Sequence, residues 1–211
     1  MKEPATRTRD AEATKARILQ AAKAEFARVG LAGARVDEIA ELARANKRMI
    51  YHYFGNKEGL FRAVLEDAYL GIRTAEQALN LTELPAREAL AKLVEFTWAY
   101  YLDNPEFIRL VNSANLHEGR HLEGLEPLRT ASRQYIDLIR SILDRGVSEG
   151  VFRPGVDPGQ LNITIAAISY YYLTNRFTHE ILFERAYMTP KALRERLEFN
   201  VDTVLRIVAA V

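Results

Sequence analysis

Three dipeptides punctuate the C-terminal part of this chain: Asn104-Pro105, Asp157-Pro158 and Thr189-Pro190. Each pairs a good N-cap with a proline, whose fixed φ and missing N–H suit the first turn of a helix and disrupt its interior. Leu84-Pro85 and Glu126-Pro127 add two further starts with poorer caps. Between the starts, apolar residues recur at spacings of three and four. One segment carries Leu90, Leu93, Val94, Thr97, Trp98 and Tyr101; another carries Tyr135, Leu138, Ile139, Ile142 and Leu143. Gly150 stands where a helix end favours a left-handed residue. The pattern predicts an all-α protein of about nine helices, without a strand or an internal repeat.

The first sixty residues divide into shorter pieces. Ile18, Ala22, Phe26 and Val29 share one face of a first helix over about 11–29, which Gly30 stops. Val36, Ile39, Ala40 and Ala43 do the same for a second helix. A turn at Arg44 and Ala45 leads to Asn46, an N-cap for a third helix from Lys47 to Phe54, and Asn56 caps a fourth from Lys57. The run Tyr51-His52-Tyr53-Phe54 has strand-forming residues. A helix accounts for it better: Ile50, Tyr53 and Phe54 then share one side, leaving Lys47, Arg48, Tyr51 and His52 largely on the others. Two helices joined by a short turn, the second polar and cationic outward, form the helix-turn-helix arrangement whose second helix enters the DNA major groove. The expected division is a DNA-binding domain over 1–60, with 1–10 as a flexible arm, and a larger helical bundle over 61–211.

Charge agrees with this division. The net charge of +1 over 211 residues conceals 12 Lys/Arg against 8 Asp/Glu in residues 1–60, and the reverse imbalance beyond. Residues 44–57, RANKRMIYHYFGNK, hold four basic residues and no acid. Such a run is either a solvated face or an electrostatic footprint for nucleic acid. No apolar stretch is long enough to span a bilayer and the N-terminus lacks a hydrophobic signal segment, so no membrane partner and a cytoplasmic location are expected. Absence of cysteine excludes disulfides, thiol catalysis and thiolate metal sites. No cofactor is expected.

Ile39-Ala40 and Ala43, followed by Ile50-Tyr51-x-Tyr53-Phe54-x-Asn56-Lys57-Glu58-x-Leu60, resemble the signature of the TetR family of bacterial transcriptional regulators. The likeness covers residues 11 to 65, and the rest resembles the family in architecture only. Two positions depart from the pattern. Arg44 replaces a common turn glycine, at a cost of about 1 kcal/mol if that residue has φ > 0. Arg35 replaces a common Ser or Thr cap, leaving water, or Asp37 and Glu38, to serve the helix N-terminus.

The resemblance implies a sequence-specific DNA-binding regulator, a repressor released from a palindromic operator by a small-molecule effector. It implies that Tyr51, Tyr53 and Lys57 hold phosphates of a double-stranded operator. Lys47, Arg48, His52 and Met49 are the candidates for base edges, with Arg44 adding charge nearby. For Tyr53 and Met49, packing is an equal alternative. Arg7, Arg9 and Lys15 supply either a minor-groove arm or an ordinary frayed terminus.

The resemblance also implies a homodimer. Leu161, Ile165, Ile168 and Tyr172 on a helix over about 158–183, with Leu193, Leu197 and Val204 on a last helix over about 190–208, suit a four-helix interface, though intrachain packing explains them too. Trp98, Tyr101, Phe107, Val111, Asn115 and Tyr135 mix aromatic and polar groups as an effector pocket does, with plain core as the alternative.

Two other readings compete. One is a nucleoid-type DNA-binding protein without sequence preference. The other is a zinc peptidase, because His117-Glu118-x-x-His121 has the literal spacing of two helical zinc ligands and a general base. Gly119 weakens the helix that chemistry needs, and no third ligand is evident, so no catalytic or metal residue is expected.

Overall fold

The structure is a computed structural model that describes residues 4–210, with side chains from residue 10 onward. Ten α-helices and two 3-10 turns make up the described residues, with no strand among them; a single bridge pairs Phe152 with Ala209. The helices are α1 (Pro4–Gly33), α2 (Val36–Leu42), α3 (Lys47–Phe54), α4 (Lys57–Gln77), α5 (Ala86–Asp103), α6 (Pro105–Leu116), α7 (Glu126–Ser148), α8 (Pro158–Thr174), α9 (Arg176–Leu182) and α10 (Pro190–Val208).

Local capping sets several helix starts. The side chains of Asn46, Asp157 and Thr189 accept from the backbone N–H of Met49, Gln160 and Ala192, as N-caps do. Gly30 leaves helical geometry at φ 70°, ψ 178°, so the long α1 is two helical pieces meeting where the sequence places its stop. Two expectations are corrected. The arm over 1–10 is helical from Pro4; residues 1–3 and the side chains of Arg7 and Arg9 lie outside the description, while Lys15 is exposed on α1. The helix over 158–183 is broken into α8 and α9, because the Thr174 hydroxyl and the Asn175 amide donate to carbonyls of Tyr170 and Tyr171 at the end of α8.

The chain forms two compact units, and the division differs from a cut at residue 60. The first unit comprises residues 1–70 and 105–126, so α6 joins it; the second comprises 71–104 and 127–211. In the first, α6 packs on α1 and α2 packs on both α1 and α3. Its core includes the fully buried Ile18, Phe26, Ile39, Ile50, Phe61 and Leu110, with the Phe26 and Phe61 rings edge to face at 5.0 Å. In the second, α5 packs against α8 and α10, and Ile139, Ile142 and Leu143 of α7 join the same apolar cluster. No helix of the described residues is long and apolar enough to cross a membrane.

Candidate DNA-binding site

The turn between α2 and α3 sets the geometry of the candidate site. Ala45 N–H donates to Ala40 O and Arg44 N–H to Glu41 O, both at 3.0 Å, which is the paired closure of a helix ending in a left-handed residue. That residue is Arg44, at φ 48°. The glycine-like conformation expected at this position is therefore present, carried by a residue with a side chain. Arg35 caps α2 with no side-chain hydrogen bond, and Asp37 and Glu38 occupy its first turn, also as expected.

Helix α3 is held by one face. Ile50 is 0% exposed, whereas Tyr51, directly after it, is 43% exposed. Lys47, Arg48 and His52 are exposed; Met49 and Tyr53 are half-buried, between packing and solvent. The His52 and Tyr53 rings meet at 5.3 Å. The helix thus presents two cations, a phenol and an imidazole outward, donors suited to base edges and phosphate oxygens.

The far end of α3 is fixed by a turn that tolerates no side chain at one point. A Cβ on Gly59 would lie 2.1 Å from Phe54 O, so this glycine permits the tight passage from α3 into α4. Asn56 caps α4 by accepting from Gly59 N–H at 2.7 Å. Lys57 is half-buried, and its ammonium donates to Ala34 O at 3.2 Å and Ala32 O at 3.4 Å. It ties the start of α4 to the end of α1.

Sequence reasoning missed two features of this surface. Lys47 Nζ lies 2.9 Å from Asp37 Oδ1, an ion pair between α2 and α3, and Asp37 lifts the ammonium pKa above its ordinary value through hydrogen bonding. The buried Glu25 accepts from both Nε and Nη2 of Arg28 at 2.9 Å, which holds its carboxyl below the usual range. The first pair is ten residues apart, outside helical spacing; the second has ordinary i,i+3 spacing, and only packing decides that its Glu25 is buried.

The other expected sites are distributed differently. Trp98 is buried against Tyr172 at 5.5 Å, and Tyr101 is buried on α5. Phe107 meets Tyr69 at 5.5 Å in the first unit; Val111 is half-buried, and Asn115 is exposed with its amide on Val111 O. Tyr135 lines a cavity of about 190 Å³ in the second unit. Of the residues expected at a dimer face, Leu161, Ile165 and Val204 are core of their own unit. Ile168, Leu193 and Leu197 are half-buried, and Tyr172 donates to Tyr187 O.

The His117-Glu118-x-x-His121 stretch does not have the helical register a zinc site of this kind requires. Helix α6 ends at Leu116, Glu118 stands at φ 57°, and a 3-10 turn follows from Arg120. His121 is buried edge-on against Phe61 at 5.1 Å; burial first, then Arg120 and His117, hold its pKa below the ordinary value. Among the described residues no group of three His, Asp or Glu side chains gathers around it.

The chain is similar to known proteins along most of its length. The family description "Bacterial regulatory proteins, tetR family" matches residues 18–64, and "Tetracyclin repressor-like, C-terminal domain" matches residues 87–204. The HTH-type transcriptional repressor NicS of Pseudomonas putida is 36% identical over 200 residues, covering 95% of this chain and 94% of that protein. The HTH-type transcriptional repressor SCO4008 of Streptomyces coelicolor is 37% identical over 163 residues, covering 76% and 79%. Among solved structures, a putative transcriptional regulator, SCO4942, from Streptomyces coelicolor superposes with a TM-score of 0.68 at 28% identity, covering 92% of this chain and 98% of that one. A TetR family regulator from Marinobacter aquaeolei reaches 0.71 at 20% identity, covering 97% and 100%, a likeness of fold. With its helix-turn-helix and its family matches in both parts, the chain belongs to the TetR family and is a DNA-binding transcriptional regulator.

Proposed function

We propose that this regulator is a cytoplasmic repressor that binds a two-fold operator as a homodimer and leaves it when a small molecule binds. The observation that carries the DNA half of the reading is the contrast along α3, where a fully buried Ile50 anchors a helix whose Lys47, Arg48, Tyr51 and His52 are all exposed. Arg48 can fork onto a guanine, and Met49 can touch a thymine methyl. Arg44, Tyr51, Tyr53 and Lys57 are assigned to phosphates, with Lys57 reaching one by exchanging its carbonyl partners.

The dimer half rests on outward apolar residues that the expected set did not include. Ile163 and Tyr171 on α8, and Phe199 and Ile207 on α10, are exposed, Phe199 to 60%. Such surface is costly in water and is normally covered by a partner. Release follows from linkage: an effector favouring a dimer with wrongly spaced recognition helices weakens DNA binding, and DNA weakens effector binding equally.

Footprinting on DNA upstream of its own and neighbouring genes tests the reading. Protection of two half-sites about 10 base pairs apart, centre to centre, or a multiple of that, is expected. Uniform coating with no preferred site would instead support the nucleoid-type alternative.

A further inference from the structure

The second unit contains a small cavity whose two charged walls differ in whether they can lose their charge. It is lined by Arg73, Glu76, Asn80, Leu81, Gln134 and Tyr135, among others, and measures about 190 Å³. That is below the roughly 300–1,000 Å³ of sites for drug-sized ligands, so it has room only for a smaller molecule. Arg73 stacks its guanidinium on the Tyr135 ring at 3.8 Å. Its Nη1 is 2.9 Å from Glu76 Oε2, yet that oxygen, on a carboxyl 2% exposed, receives no hydrogen bond. The Arg73 charge faces that oxygen and the Tyr135 phenol hydrogen-bonds the same carboxyl, so Glu76 is held at the cavity wall by both neighbours.

We infer that this cavity binds a small organic monoanion, a carboxylate, through Arg73, with Glu76 taking up one proton as the anion enters. The inference rests on the effector-responsive reading above and names the site and chemical class of the effector. An amine would face Arg73, which stays charged at every accessible pH. A carboxylate would face Glu76, which burial has already pushed up to about 7, so that protonating it near neutrality costs little. Once protonated, Glu76 donates an O–H to the anion while Arg73 donates N–H, and no uncompensated charge is buried. The other charged or titratable groups facing the pair are the phenols of Tyr135 on α7 and, beyond it, Tyr101 on α5. Burial and then Glu76 raise the Tyr135 pKa, so Tyr135 stays neutral. Gln134 and Asn80 add neutral donors and acceptors. Arg145 is held by the carbonyls of two lining residues, donating to Leu81 O and Thr82 O.

The test uses the full-length protein with acetate, butanoate and benzoate as anionic probes. Benzamide and benzylamine serve as the neutral and cationic counterparts of benzoate. Binding is read by saturation-transfer NMR and calorimetry. At least one carboxylate binds, at least tenfold more tightly than benzamide or benzylamine if the charged contact counts as a charge-assisted hydrogen bond. Its affinity falls about tenfold from about pH 6 to about pH 8, with one proton taken up at the upper end. Glu76→Gln, which resembles the protonated acid, keeps the binding and loses the pH dependence; Arg73→Met loses the binding. Absence of carboxylate binding, equal or tighter binding of benzylamine, or an unchanged pH dependence in Glu76→Gln overturns the inference. If carboxylates bind at Arg73 but leave operator affinity unchanged, the site stands and its role as effector site falls. If a carboxylate releases DNA from Arg73→Met as well as from the parent protein, the effector reading stands and this site falls.

Discussion

The Lys47 ammonium lies 2.9 Å from Oδ1 of Asp37, so the first cation of the recognition helix is paired with the helix before it. Both side chains are largely exposed, and an exposed pair of this kind contributes little to stability. Its consequence lies in binding, because Lys47 must leave Asp37, or carry it along, to meet a base or phosphate. Asp37→Asn is expected to raise operator affinity several-fold at low salt and to steepen the plot of log affinity against log salt by up to about one unit. Fluorescence anisotropy with labelled operator measures both. An unchanged slope would mean that Lys47 does not approach DNA.

Arg44 holds a left-handed backbone at φ 48°, where glycine is less strained. Arg44→Gly is expected to gain up to about 1 kcal/mol in stability, offset by the greater freedom of glycine in the unfolded chain. The same change removes a cation beside α3, so operator affinity should fall and its salt slope should shrink by about one. Denaturant unfolding and operator titration separate the two effects; a loss of stability would show that the Arg44 side chain makes a compensating contact.

The buried Glu76 sets a pH dependence of stability. Its carboxyl is raised from 4.5 to about 7, mainly by burial, so the folded state binds a proton more tightly than the unfolded state does. Stability is therefore greatest below the unfolded value, declines as pH rises from 4.5 towards 7, and levels off above it. The total decline is on the order of 3 kcal/mol. Glu76→Gln should flatten this decline, giving a higher Tm than the parent at about pH 8 and a similar one at about pH 5. Parallel Tm curves for the two proteins would show that Glu76 is ionised in the fold.

Phe199 projects from α10 with 60% of its surface exposed. If α8 and α10 form the dimer face, Phe199→Glu places a charge against an apolar partner and shifts the protein towards monomer, with operator affinity falling at least tenfold. Sedimentation velocity reports the shift, and helicity by circular dichroism should remain unchanged. A dimer that survives Phe199→Glu intact would move the interface elsewhere.

The sequence by itself determined the helical class and most helix starts, because a cap is a local event. Asn46, Asp157 and Thr189 each bond to an N–H three residues on, and no distant part of the chain alters that reach. The buried side of α3 was legible for the same reason, since Ile50 and its neighbours recur at helical spacing. Where periodicity fails, so did the reading: α8 is apolar on all sides, and its end at Asn175 depends on which carbonyls a side-chain amide reaches. Only the tertiary structure decided that α6 belongs with the first unit, that Asp37 meets Lys47, and that Leu161 and Val204 are core. It also decided that the His117–His121 stretch is a turn against Phe61 and that Glu76 lies buried beside Arg73 and Tyr135. Each of those facts depends on contact between segments distant in the chain, and burial is a property of the whole packed unit.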